Sequence, residues 1–187
     1  IDSFTALDRL LYSGNRGMGA LEFQPAIKTI SAGSDQIEVA ALVEMAQDIL
    51  DKRANFSAHM TRQKTEDDAM TSLIQVGTSA GGARAKVLVA VNKDRTELRS
   101  GQVDAPRGFE QYLLKFDGVE EHKKNSEVFG DPKGFGRMEY AYYLMARDAG
   151  ITISDSELLL DGPRAHFMTK RFDRTGNSKL HYISLCA

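Results

Sequence analysis

The residues best suited to chemistry lie in the second half of the chain. Gly77-Thr78-Ser79-Ala80-Gly81-Gly82-Ala83-Arg84-Ala85-Lys86 is a run of small residues closed by a lysine. Small side chains let successive backbone N–H groups approach phosphate oxygens, and Lys86 adds a point charge, so the run looks like an anion cradle. It matches neither the P-loop, which wants Gly-Lys-Ser/Thr ahead of a helix, nor Gly-x-Gly-x-x-Gly. The plain alternative is a flexible hairpin loop. A second pair is Lys115, inside the apolar strand-like Gln111–Phe116, and Glu139, on the inner part of a helical stretch. A strand lysine braced by a helix glutamate can order phosphate groups. The same residues could instead be a lysine snorkelling to the surface and a glutamate favoured by its helix dipole. Gly77-Thr78-Ser79-Ala80-Gly81 also fits Gly-x-Ser-x-Gly, with Ser79 as a hydrolase nucleophile and Asp161 or Asp173 with His181 as its partners. Such an elbow must lead into a helix, yet residues 85–91 read as a strand.

Composition narrows the classes. The 187 residues are 42% hydrophobic and 27% charged, as expected of a globular chain. The 24 basic and 26 acidic residues give a net charge of -2, so no global footprint for DNA or an anionic membrane exists. One cysteine, Cys186, excludes an internal disulfide framework, and His59, His122, His166 and His181 have no metal-ligand spacing. A cytoplasmic setting is expected, with no membrane span and no signal segment. The chain starts at Ile1 and stops on an apolar segment, which suggests a fragment of a longer protein.

These side chains need elements to position them. Ser3 to Tyr12 has helical spacing behind a serine cap and ends at Gly14–Gly19; residues 19–23 alternate as a short strand. Residues 34–52 carry an apolar stripe and form the most secure helix of the first half. A boundary near residue 70 divides an α-rich subdomain, 1–70, from a strand-rich domain, 71–187. In the latter, residues 85–91 and 97–101 form a hairpin, and 111–116 is the strand with Lys115. Residues 117–133 read as a polar loop, and 136–149 as a helix stopped by Gly150. Residues 157–160 and 165–171 pair across the Asp161-Gly162-Pro163-Arg164 turn; the turn at 173–177 is followed by a strand to the end. The fold class is therefore α+β, with an antiparallel sheet of about five strands and one packed helix. A protein-kinase small lobe has this order: Gly-rich loop, strand lysine, helix glutamate, then an adenine hinge, here Phe167–Arg174.

The ordered set Arg16-Gly17-Met18-Gly19-Ala20-Leu21-Glu22-Phe23, Ser79–Lys86, Leu113-Leu114-Lys115-Phe116, Glu139-Tyr140 and Lys170-Arg171-Phe172-Asp173-Arg174 resembles the HipA family of bacterial serine/threonine kinases, the toxins of HipBA-type toxin-antitoxin systems. The resemblance implies a nucleotide site made by Ser79, Ala80, Gly81, Gly82, Ala83, Lys86, Lys115, Glu139, Lys170 and Phe172. It implies that Ser79 is autophosphorylated to switch the kinase off, that Lys86 and Lys115 hold ATP phosphates, and that Lys170 and Phe172 lie at the hinge. Ala85 departs from the polar residue common before the loop lysine. The expected cofactors are ATP and Mg2+. The family places the catalytic base and the metal ligands in a C-terminal lobe that this chain lacks, so the fragment is expected to be inactive alone. The expected partners are a HipB-like helix-turn-helix antitoxin, which would bring any DNA contact, and a protein substrate such as an aminoacyl-tRNA synthetase. The rival reading is a non-catalytic interaction module that binds an antitoxin or a separate kinase subunit; the hydrolase ranks third.

Overall fold

Val87-Leu88-Val89-Ala90-Val91 is the centre of the structure because a continuous apolar run of this length can be covered on both faces. The structure, a computed structural model, describes residues 5–26, 86–118, 134–183 and 185. The helix expected over 34–52, the boundary near 70, the small-residue run up to Ala85, and most of the loop before residue 134 lie outside them. All five residues from Val87 to Val91 are buried.

They belong to β1 (Lys86–Asn92), which pairs antiparallel with β2 (Leu98–Ser100) on one side and β3 (Phe109–Lys115) on the other. The β1–β2 turn is made by Asn92, whose Oδ1 accepts the Thr96 and Glu97 N–H groups at 2.9 and 3.0 Å. Next, β4 (Ser156–Asp161) and β5 (Arg164–Lys170) form the expected hairpin, and β5 docks on β3, giving the order β2-β1-β3-β5-β4. Every pairing is antiparallel, so directly opposed residues share a face. Lys86, Lys115 and Phe167 therefore share one face, and Tyr112, Met168 and Lys170 the other.

α1 (Ala6–Ser13) begins later than expected, because Thr5 supplies the capping box with Asp8. α2 (Phe135–Asp148) packs on β5 and β4. Its last turn closes as a Schellman motif, with Ile151 N–H donating to Ala146 O and Gly150 N–H to Arg147 O, both at 2.9 Å.

Two expectations are corrected. Residues 19–23 are irregular rather than a strand, since their groups are engaged by side chains from the far end of the chain. The final segment is not a strand to the end: β6 (Arg174–Thr175) and β7 (Ser178–Lys179) are a two-residue hairpin followed by irregular chain.

Candidate functional site

Antiparallel register sets Lys86 of β1 directly opposite Lys115 of β3. On its other side Lys115 faces Phe167 of β5, whose ring centroid lies 5.6 Å from Nζ. Lys115 Nζ donates to Glu139 Oε2 at 2.5 Å, across from sheet to helix. The expected pair is therefore formed, and Lys86 joins it. Burial and the charge of Lys115 push the Lys86 ammonium below its ordinary value, with Glu139 opposing in part. Like charges facing each other across strands destabilise a sheet. Two lysines and one glutamate share this part of the sheet face. The Lys115 and Glu139 side chains keep 32% and 25% of their exposure, so solvent and ligands can reach the pair.

Glu139 is placed by the start of α2, which has no cap of its own. Gly134 occupies the cap position with φ 103°, where a larger residue would be strained and no side chain is present to accept the helix amides. The buried Asp117, just beyond β3, does it instead: its carboxylate accepts Gly134 N–H at 2.9 Å and, less tightly, Gly136 N–H at 3.4 Å and Ala165 N–H at 3.5 Å. Gly136 rests against β5 so closely that a Cβ would lie 1.8 Å from Ala165 O. Only glycine fits there. Sequence reasoning read Asp117 as a loop residue and missed this role.

The Asp117 N–H donates to Nδ1 of the fully buried His166 at 2.9 Å, and the Phe116 and His166 rings meet edge to face at 5.7 Å. The His166 Nε2 lies 3.8 Å from Asp161 Oδ2.

The Arg171–Arg174 segment holds a second charged cluster. The fully buried Asp173 accepts Arg171 Nε at 2.8 Å and Nη2 at 2.7 Å, a bidentate pair, and also Arg174 Nη1 at 2.8 Å and the Gly19 N–H at 2.7 Å. Burial raises its pKa, but these donors and the two arginine charges outweigh that and hold the carboxyl below its ordinary value. Arg174 also donates to the carbonyls of Gly19 and Gly17, at 3.0 and 3.2 Å. The glycine-rich turn near the N-terminus is thereby fixed to the sheet domain. Sequence reasoning had both segments but not the bond between them.

The expected site residues do not all converge. Ser79, Ala80, Gly81, Gly82 and Ala83 lie outside the described residues. Lys86, Lys115 and Glu139 come together. Lys170 points to the opposite face, where it pairs with Glu110, and Glu110 also accepts the Tyr112 hydroxyl at 2.9 Å. Burial and that bond push the Tyr112 phenol up to about 12. Phe172 is exposed, its ring edge-on to Tyr182 at 5.1 Å. Of the hydrolase partners, Asp161 lies beside His166, Asp173 is held by the arginines, and His181 is exposed. Among the described residues no group of His, Cys, Asp and Glu could hold a metal ion, and no helix is long and apolar enough to cross a membrane.

A five-stranded antiparallel sheet with a packed helix, whose glutamate pairs with a strand lysine, defines an α+β protein. The model of the HipA-like C-terminal domain matches residues 78–187, and the chain belongs to that family. The matched stretch contains Lys86, Lys115, Glu139 and the whole sheet. No curated protein and no solved structure matches the chain.

Proposed function

We propose that this chain carries the phosphate-binding part of a HipA-like serine/threonine protein kinase, the toxin of a toxin-antitoxin pair, with Lys86 and Lys115 as the groups that hold ATP phosphates. The observation that carries the reading is the 2.5 Å Lys115–Glu139 pair with Lys86 directly opposite. Glu139 fixes the Lys115 ammonium in place, so that its remaining donors are aimed before a ligand arrives. A partly exposed lysine held by a glutamate, with a second lysine opposite, fits a polyphosphate better than a neutral ligand.

On this reading the small-residue run 77–85 lies over the phosphates, and phosphate on Ser79 would compete with ATP there and switch the kinase off. Bound Mg-ATP supplies the phosphoryl group for transfer to a protein serine or threonine. The catalytic base and the magnesium ligands belong to a helical lobe outside these 187 residues, and this chain alone binds nucleotide without transferring phosphate. The hinge role at Lys170 and Phe172 falls to backbone groups, because the Lys170 side chain faces away from Lys115. A helix-turn-helix antitoxin and an aminoacyl-tRNA synthetase substrate complete the proposal on family grounds.

A non-catalytic interaction module is the second reading, favoured by Met138, Tyr142 and Met145, which sit at helical spacing on the exposed side of α2. Calorimetry with Mg-ATP separates the two. The kinase reading expects binding by the wild-type chain that is lost in Lys115→Ala; no binding by a folded wild-type chain would leave the interaction module.

A further inference from the structure

We propose that Asp117 and His166 form an acid-sensitive latch that positions the Glu139 helix against Lys115. The latch concerns the geometry of that pair; its effect on nucleotide binding rests on the reading above.

The start of α2 is held from outside the helix, by the Asp117 carboxylate on the Gly134 and Gly136 amides. Asp117 is in turn held by its own N–H, which donates to His166 Nδ1 at 2.9 Å. An Nδ1 that accepts has no proton, so the neutral ring carries its hydrogen on Nε2. That Nε2 is buried, and no hydrogen-bond acceptor reaches it among the described residues; Asp161 Oδ2, at 3.8 Å, is too far. The imidazole is therefore engaged on one side only, by the residue that caps the helix.

A second proton would have to enter at Nδ1, where it would face the Asp117 N–H. Two donors cannot share that 2.9 Å contact, and the bond breaks. The new imidazolium would also draw the Asp117 carboxylate away from the helix amides. The charged groups facing the ring are Asp117 beyond β3, Asp161 at the end of β4 and Arg164 at the start of β5, while α2 presents to this corner its amides bound to Asp117. Burial, aided by Arg164, outweighs the two carboxylates and holds the ring below its ordinary 6.5. The latch is closed at neutral pH and opens on acidification. Glu139 lies less than one turn beyond Gly136, and a helix shift of about 1.5 Å takes the 2.5 Å Lys115 contact out of hydrogen-bond range.

The test uses the 187-residue chain with its lysines reductively 13C-methylated. The Lys115 signal is assigned with Lys115→Arg, and its unpaired position is taken from Glu139→Gln. Protonation of His166 is followed by its Cε1–H resonance. As His166 protonates, the wild-type Lys115 signal is expected to move to the Glu139→Gln position. In His166→Asn, whose Oδ1 replaces the Nδ1 acceptor without titrating, the signal should stay in place over the pH range in which wild-type His166 protonates. Asp117→Asn, should the histidine variant not fold, is expected to move the signal already at neutral pH. A Lys115 signal that stays put while His166 protonates would overturn the latch. So would an identical transition in His166→Asn, an unmoved signal in Asp117→Asn, or unfolding before His166 protonates. Absence of Mg-ATP binding at every pH defeats the nucleotide reading alone and leaves the latch to the lysine signal.

Discussion

Two clusters in this molecule each set two cations beside one anion and differ in how far solvent reaches them. Arg171, Arg174 and Asp173 are two cations and one anion, as are Lys86, Lys115 and Glu139. In the arginine cluster the side chains are at most 7% exposed, and the donors meet protein acceptors: the Asp173 carboxylate, the Gly17 and Gly19 carbonyls and, distantly, Gln111. In the lysine cluster Lys86 is buried, and the Lys115 and Glu139 side chains are a quarter to a third exposed. The first satisfies its charges within the protein and fastens the N-terminal turn to the sheet. The second keeps an ion pair that solvent and ligands can reach. Access, more than charge count, separates a fastening from a site.

The largest expected effect is on the arginine side. Asp173→Ala leaves two buried guanidinium groups facing each other and should cost about 3–5 kcal/mol in chemical denaturation. It should also release the Gly14–Gly19 turn to limited proteolysis, and a variant as stable as wild type would remove the distinction between the clusters. Gly136→Ala comes next. Its methyl group has no room against Ala165 O, so α2 must move, at a cost of about 1–3 kcal/mol with loss of the Lys115–Glu139 contact. Near-native stability with the Lys115 signal unmoved would refute the close approach as the device that sets the helix.

Acid should act on the clamp in a defined direction. The Asp173 carboxyl is held below its unfolded value of 3.8, so its stabilisation is fully present above that pH and is lost as the pH falls through the lower folded value. Stability measured between pH 5 and pH 2 should fall less steeply in Asp173→Asn than in wild type; equal slopes would contradict the assignment. The smallest effects on stability belong to the site. Lys115→Ala should cost no more than ~1 kcal/mol, because the pair is partly solvated. Lys86→Met should weaken Mg-ATP binding while the chain stays folded. A large loss of stability in either variant would make the lysines structural.

The sequence made visible whatever is local. β1 is a continuous apolar run, the β4–β5 turn is Asp161-Gly162-Pro163-Arg164, and α2 ends at a glycine; each signal sits within a few residues of its effect. Lys115 and Glu139 were legible because one is a lysine inside an apolar strand and the other a glutamate near the start of the helix that follows. Asp117 was not, since a carboxylate in a polar stretch looks solvated until the helix it caps is folded over it. Arg171 and Asp173 were hidden for a related reason: they read as a strand running into a polar turn, and nothing nearby announces that Gly19 will donate its N–H to Asp173. The brief alternation at 19–23 misled because five residues cannot distinguish a strand from a loop whose backbone is bound by distant side chains. Lys170 has the right residue type near the hinge, but its strand parity, two steps from Met168, puts it on the face away from Lys115.

The central claim is that the face carrying Lys86 and Lys115 is the one that takes phosphate. Its most direct test is Mg-ATP titration of the 13C-methylated chain, with Lys86, Lys115, Lys170 and Lys179 followed separately. The account predicts saturable shifts of Lys86 and Lys115 with one shared affinity, and none at Lys170, paired with Glu110 on the opposite face, or at Lys179, paired with Glu22. Shifts of all four together, or of Lys170 without Lys115, would contradict it.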